Sequence, residues 1–129
     1  MDNTFGKFLK DKRQQNGLSL RALGKQVKLS HIYLYNIESG KKAPPNDEII
    51  KRLANALNLD EKSRLLFFDI AAQCKSSIDS DNYYIPVDIS KYLNENEDAR
   101  NVIREANKKE QHNSFWNDLL MELKNKYVP

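Results

Sequence analysis

Much that would mark an exported or membrane-embedded protein is missing from this sequence. It has one cysteine, so no intrachain disulfide framework can form, and the chain fits a reducing compartment. No uninterrupted apolar run approaches the roughly 18 residues that a membrane helix needs. The N-terminal stretch MDNTFGKFLKDKR lacks an apolar signal core, so a cytoplasmic location is expected. Four glycines and four prolines in 129 residues argue against an all-β fold with many tight turns. The length is short of the roughly 200 residues or more of the large enzyme barrels. It suits one small domain of about 60–75 residues with an appendage.

Chemistry-bearing constellations are equally scarce. Two histidines, His31 and His112, and the lone Cys74 have no metal-ligand spacing. Cys74 is expected to be a small apolar residue, buried or half-buried. Gly40-Lys41 lacks the glycine-rich lead and the following Ser/Thr of a phosphate loop. No nucleophile setting is recognisable. The expectation is a protein without cofactor or metal that is not an enzyme.

What is present is an uneven charge. The net +3 of the whole chain divides into +6 over residues 1–42, 0 over residues 43–75 and −3 over residues 76–129. A basic end on a nearly neutral chain suggests a polyanionic partner for that end. A solvated charged face is the plainer reading, and apolar spacing must decide between them.

The spacing is helical throughout. Phe5, Phe8, Leu9 and Lys12 share a face in a segment stopped by Gly17. Ser19 caps a second segment carrying Leu20, Leu23 and Val27, and Ser30 caps a third carrying Leu34 and Ile37. After Pro44-Pro45, Asn46 caps a fourth, with Ile49, Ile50, Leu53, Ala54 and Leu57 as its buried stripe. Asp60 caps a fifth, with Leu65, Leu66, Phe68 and Ile70 inward, ending near Cys74. Residues 76–87 read as a polar linker, extended before Pro86. Three short helices are expected beyond it. The first spans about Asp88 to Leu93. The second has Asn94 and Glu97 in capping-box spacing, with Ala99, Val102, Ile103 and Ala106 on one face. The third spans about Asn113 to Lys126, with a stripe of Phe115, Trp116, Leu119, Leu120, Leu123 and Tyr127.

Only Lys28-Leu29 separates the second segment from the third, so the two helices must cross steeply. Leu23, Val27, Leu29, Leu34 and Ile37 supply a shared core, Gly24 a close approach, and Ser30 a capped N-terminus. The stretch GLSLRALGKQVKLSHIYLYNIESGKKAPP, followed by IIKRLANALNLD, resembles the helix-turn-helix of the Cro and phage-repressor class, also called the XRE class. The resemblance spans Phe5 to about Ala72. It implies an all-α protein: a five-helix, lambda-repressor-like DNA-binding domain over 1–75 and a short helical extension over 76–129. It also implies a salt bridge between Arg13 and Glu38. Two positions depart from the family pattern. Lys28 stands where the turn usually has glycine, and Gly24 where alanine is commoner.

The same resemblance implies the partner and the roles. The helix at about 30–38 would enter the major groove of double-stranded DNA. His31, Ile32, Tyr35 and Asn36 would face base edges: Asn36 as a bidentate partner of adenine, Ile32 against a thymine methyl. Packing on a neighbouring helix is the other reading for Ile32 and Tyr35, and plain surface polarity for His31 and Asn36. Ser19, Arg21, Lys28, Lys41 and Lys42 would meet phosphate, which adds affinity rather than sequence choice. Lys10 and Lys25 are second choices. General solvation is the other reading for each lysine.

The stripe Phe115, Trp116, Leu119, Leu120 and Leu123 is wider than a short solitary helix can bury, so it needs a partner surface: either the fifth segment and the helix at 97–108, or a second subunit. A homodimer on a near-palindromic operator is expected, since two half-sites raise specificity. The leading reading is a transcription regulator acting as a repressor. The alternatives are a helical protein-interaction adaptor, or a DNA-binding antitoxin whose C-terminal region holds a protein partner.

Overall fold

The computed structural model describes residues 3–79, 81–109 and 113–126. His112 and Tyr127 lie outside the described residues. The chain divides into two compact units, Met1–Ser90 and Lys91–Pro129. Among the described residues all regular structure is helical.

In the first unit the order is α1 (Thr4–Gln15), α2 (Leu20–Val27), α3 (His31–Glu38), α4 (Asp47–Ala56) and α5 (Glu61–Ile78). Four of these begin on a short polar side chain that accepts an otherwise orphaned amide: Ser19 from Ala22, Ser30 from Tyr33, Asn46 from Ile49 and Asp60 from Ser63. The core draws Phe5 and Leu9 from α1, Leu23 and Val27 from α2, and Leu34 and Ile37 from α3. Ile50, Leu53 and Ala54 of α4 and Leu57 after it join them, together with Phe67, Phe68, Ala71 and Cys74 of α5. Leu20, Leu29 and Ile49 are partly buried against that core.

The register of α5 differs from the sequence expectation. Phe67 is fully buried and stacks on Phe5, with ring centroids 5.0 Å apart. Leu65 and Leu66 are exposed instead. The run Leu65-Leu66-Phe67-Phe68 is apolar on all sides, so periodicity alone cannot choose its inner face; the aromatic stack on α1 does. The helix also runs four residues past Cys74, to Ile78, into the segment read as a linker.

That segment is a strap. The Tyr84 amide donates to Ser76 Oγ at 2.9 Å, and the Tyr84 hydroxyl donates to Asp79 at 3.2 Å. Lys75 bridges to Asp47 at 3.3 Å and sits over the Tyr84 ring. Val87 then enters the core beside Ile50, Phe68 and Ala71. α6 (Val87–Glu95) starts on that anchor.

The second unit holds the end of α6, α7 (Glu97–Lys108) and α8 (Asn113–Lys126). The capping box expected at Asn94 and Glu97 is absent: α6 extends through Asn94 to Glu95, and Asn96 precedes α7 without a side-chain cap bond. Arg100 secures this joint from the other side, donating to the carbonyls of Leu93 and Asn94 at 2.9 and 2.7 Å. Of the expected stripe on α7, Ala106 is buried while Val102 and Ile103 stay exposed. On α8, Phe115 meets Trp116 edge-on at 5.1 Å, Leu119 is half-buried, and Leu120 and Leu123 are exposed.

The strap makes one prediction. Val87→Ala should lower the unfolding free energy of the full chain by about 1–2 kcal/mol, through lost burial and an unfilled pocket. Urea unfolding followed by circular dichroism reads this directly.

Candidate nucleic-acid interface

The reading unit is built by two backbone devices. Lys28 ends α2 in the left-handed conformation, φ 59° and ψ 44°. The Leu29 amide then donates back to the Gly24 carbonyl at 2.9 Å. This geometry is ordinarily glycine's, and a lysine holding it is strained by about 1 kcal/mol. Gly24 sits where the turn passes closest: a Cβ there would lie 2.5 Å from the Leu29 carbonyl oxygen. Alanine, the commoner residue of the family pattern, would need this turn to shift. Arg52 of α4 adds a third tie, donating to the Val27 carbonyl at 2.8 Å.

α3 is held from behind. Arg13 and Glu38 form a two-pronged, buried ion pair: Nε to Oε2 at 2.7 Å and Nη2 to Oε1 at 3.0 Å. Arg13 Nη1 also donates to the Leu18 carbonyl at 2.8 Å, so one guanidinium joins α1, the α1–α2 loop and the end of α3. Hydrogen bonding to Glu38 raises the Arg13 pKa above its ordinary value; desolvation opposes the rise and the charge of Glu38 adds to it. The Arg13 guanidinium therefore stays charged far above neutral pH.

Two contributors to this support were not foreseen from the sequence. Gly6 lets α1 lie directly on the end of α3, since a Cβ there would collide with the carbonyl oxygens of Ile37 and Glu38. Asn3 donates from Nδ2 to the Glu38 carbonyl at 3.1 Å. The signal for Gly6 was visible: a glycine inside a helix costs about 1 kcal/mol against alanine, so it implies a packing reason.

With Leu34 and Ile37 buried, the opposite face of α3 points outward. Ile32 is 62% exposed and Tyr35 50% exposed, while His31 and Asn36 are half-exposed. Neither Ile32 nor Tyr35 belongs to the core of this unit. The Asn36 side-chain amide makes no hydrogen bond within the described residues. Of the cations singled out, Arg21, Lys28, Lys41 and Lys42 are all exposed, as are Lys10 and Lys25. Ser19 Oγ accepts the Ala22 amide at 3.0 Å and keeps its own proton free to donate. Among the described residues no group of His, Cys, Asp and Glu could hold a metal ion. No helix there is long and apolar enough to cross a membrane.

The left-handed lysine is directly testable. Lys28→Gly should relieve the turn and raise stability by about 1 kcal/mol, measured as a higher urea midpoint with an unchanged slope. An unchanged or lower midpoint would mean that the turn is not strained.

A search of curated proteins finds no match to the chain. A family model described as helix-turn-helix matches residues 9–62, from the middle of α1 to the first turn of α5. That stretch contains the strained turn, the whole of α3 and both partners of the buried ion pair. Residues 9–62 therefore form a helix-turn-helix domain of the Cro and phage-repressor class, a family of DNA-binding transcription regulators.

Proposed function

We propose that the chain is a sequence-specific, double-stranded-DNA-binding transcription repressor that reads the major groove with α3. The observation that carries this reading is the outward face of α3. An isoleucine 62% exposed and a tyrosine 50% exposed sit beside an uncommitted asparagine amide, on a helix rigidly capped and anchored behind. A purely solvated face has no use for that isoleucine, whereas a thymine methyl offers it an apolar contact. Exposed Arg21, Lys28, Lys41 and Lys42 border this helix on the +6 segment, where phosphate would pass. Repression needs only occupancy of the operator, so no catalytic step is assigned. The site of action is the cytoplasm.

A homodimer on a near-palindromic operator completes the proposal, with half-sites about one helical turn apart. The α8 residues Phe115, Trp116, Leu120 and Leu123 are 39–48% exposed, and they favour a protein contact through the C-terminal unit. In the homodimer a second copy covers them. In an antitoxin, a different protein would.

Two measurements test these parts. Asn36→Ala should weaken operator binding by about 1–3 kcal/mol and relax base preference at one position, while Lys42→Ala should weaken all DNA alike and reduce the salt slope by about one. If both variants bind every sequence like the parent, α3 is not the reader. Trp116→Ala should turn the dimer into a monomer in light scattering at unchanged helicity. A dimer of unchanged mass removes α8 from its centre.

A further inference from the structure

We propose that Lys41 is a positioning residue for Tyr35, and so sets base preference where its neighbour Lys42 supplies affinity alone. This rests on the reading of α3 as the groove reader. It revises the expectation that both lysines serve only as phosphate contacts.

The argument starts at the end of α3. Gly40 takes the left-handed conformation, φ 83°, which turns the chain back on the helix it has just left. The Ser39 amide donates to the Tyr35 carbonyl at 2.9 Å, and the Lys42 amide donates to the Asn36 carbonyl at 3.0 Å. Ser39 Oγ also donates to the Asn36 carbonyl, at 3.3 Å. The last carbonyls of α3 are thus closed by its own following loop, and the loop is pinned beside the reading face. The result is a specific juxtaposition: Lys41 Nζ lies over the Tyr35 ring, 5.6 Å from its centroid. That is within the range at which an ammonium is attracted to a ring face.

Tyr35 is otherwise free to rotate, being half-exposed and outside the core. A free ring samples several rotamers, and ordering it on DNA costs affinity for every sequence. An ammonium on one face restrains the ring before DNA arrives and aims its edge and hydroxyl. The same ammonium would lie near phosphate in a complex, so one cation couples the backbone register to the ring's direction. Among the described residues Lys42 has no ring beneath it, so it acts as a charge alone.

The test compares full-length parent, Lys41→Met, Lys41→Arg, Lys42→Ala, Tyr35→Ala and the Tyr35→Ala/Lys41→Met pair by selection from a random double-stranded DNA pool, followed by titration of the selected site and its single-base variants. Lys41→Met should lower discrimination about 2- to 5-fold at the base position that Tyr35→Ala also blurs. Lys41→Arg should restore it, because a guanidinium also stacks on aromatic faces. In the double variant, removing the Lys41 charge should cause no further loss of discrimination, the signature of action through the ring. If Lys41→Met lowers affinity equally for all sequences, as Lys42→Ala does, the positioning role is overturned while α3 remains the reader. If the parent itself shows no base preference, the groove reading fails and this proposal with it. All six proteins should melt alike, since both side chains lie outside the core.

Discussion

The buried pair of Arg13 and Glu38 is the interaction on which the reading unit depends. Glu38 is the last residue of α3, and Arg13 lies in the last turn of α1. Their two hydrogen bonds, with the third from Arg13 to the Leu18 carbonyl, fix the far end of α3 against the body of the domain. Burying two charges is expensive, and a well-packed apolar pair of similar volume is often at least as stable. Its geometric effect is more telling. A planar fork accepts a carboxylate in few orientations, whereas two aliphatic side chains slide. Around this pair Gly6 allows the helices to touch, and Asn3 closes the neighbouring carbonyl.

The opposite end of α3 is governed by backbone conformation rather than charge. Lys28 in the left-handed region and Gly24 under the Leu29 carbonyl set the angle at which α3 leaves α2. Ser30 then caps the helix. So α3 is clamped by an ion pair behind its C-terminus and a strained turn before its N-terminus. Only its outer face remains free of structural duty.

Much of this was legible in the chain because it is local. Ser19, Ser30, Asn46 and Asp60 each stand before a periodic apolar segment, and each caps the helix it announces. Four of the five core residues of the reading unit, Leu23, Val27, Leu34 and Ile37, follow from i, i+3 and i+4 spacing alone. What was not legible depends on contacts between distant segments. Four consecutive apolar residues in α5 offer periodicity no face to prefer, and the choice of Phe67 over Leu65 and Leu66 is made by Phe5. The Asn94/Glu97 pair satisfied a two-residue signature, but Arg100, reaching back from α7, secured the joint instead. The polar composition of residues 76–87 hid the single apolar residue at its end that belongs to the core. The outward residues of α3 could be named from the sequence because Leu34 and Ile37 fix the helix's rotation. The placement of Lys41 over Tyr35 could not, since it requires the turn at Gly40.

The strap also changes what counts as a minimal reader. The helix-turn-helix match stops at residue 62, yet the apolar surface of Ile50, Phe68 and Ala71 meets Tyr84, Ile85 and Val87, the last of them twenty-five residues later. A fragment trimmed to the motif would carry an uncovered seam through its own core and would invite aggregation. The strap up to Val87 therefore belongs to the folded body of the first unit rather than being a tether alone. Any event that pulls the start of α6 outward would register in the DNA-binding unit as a loss of folding free energy.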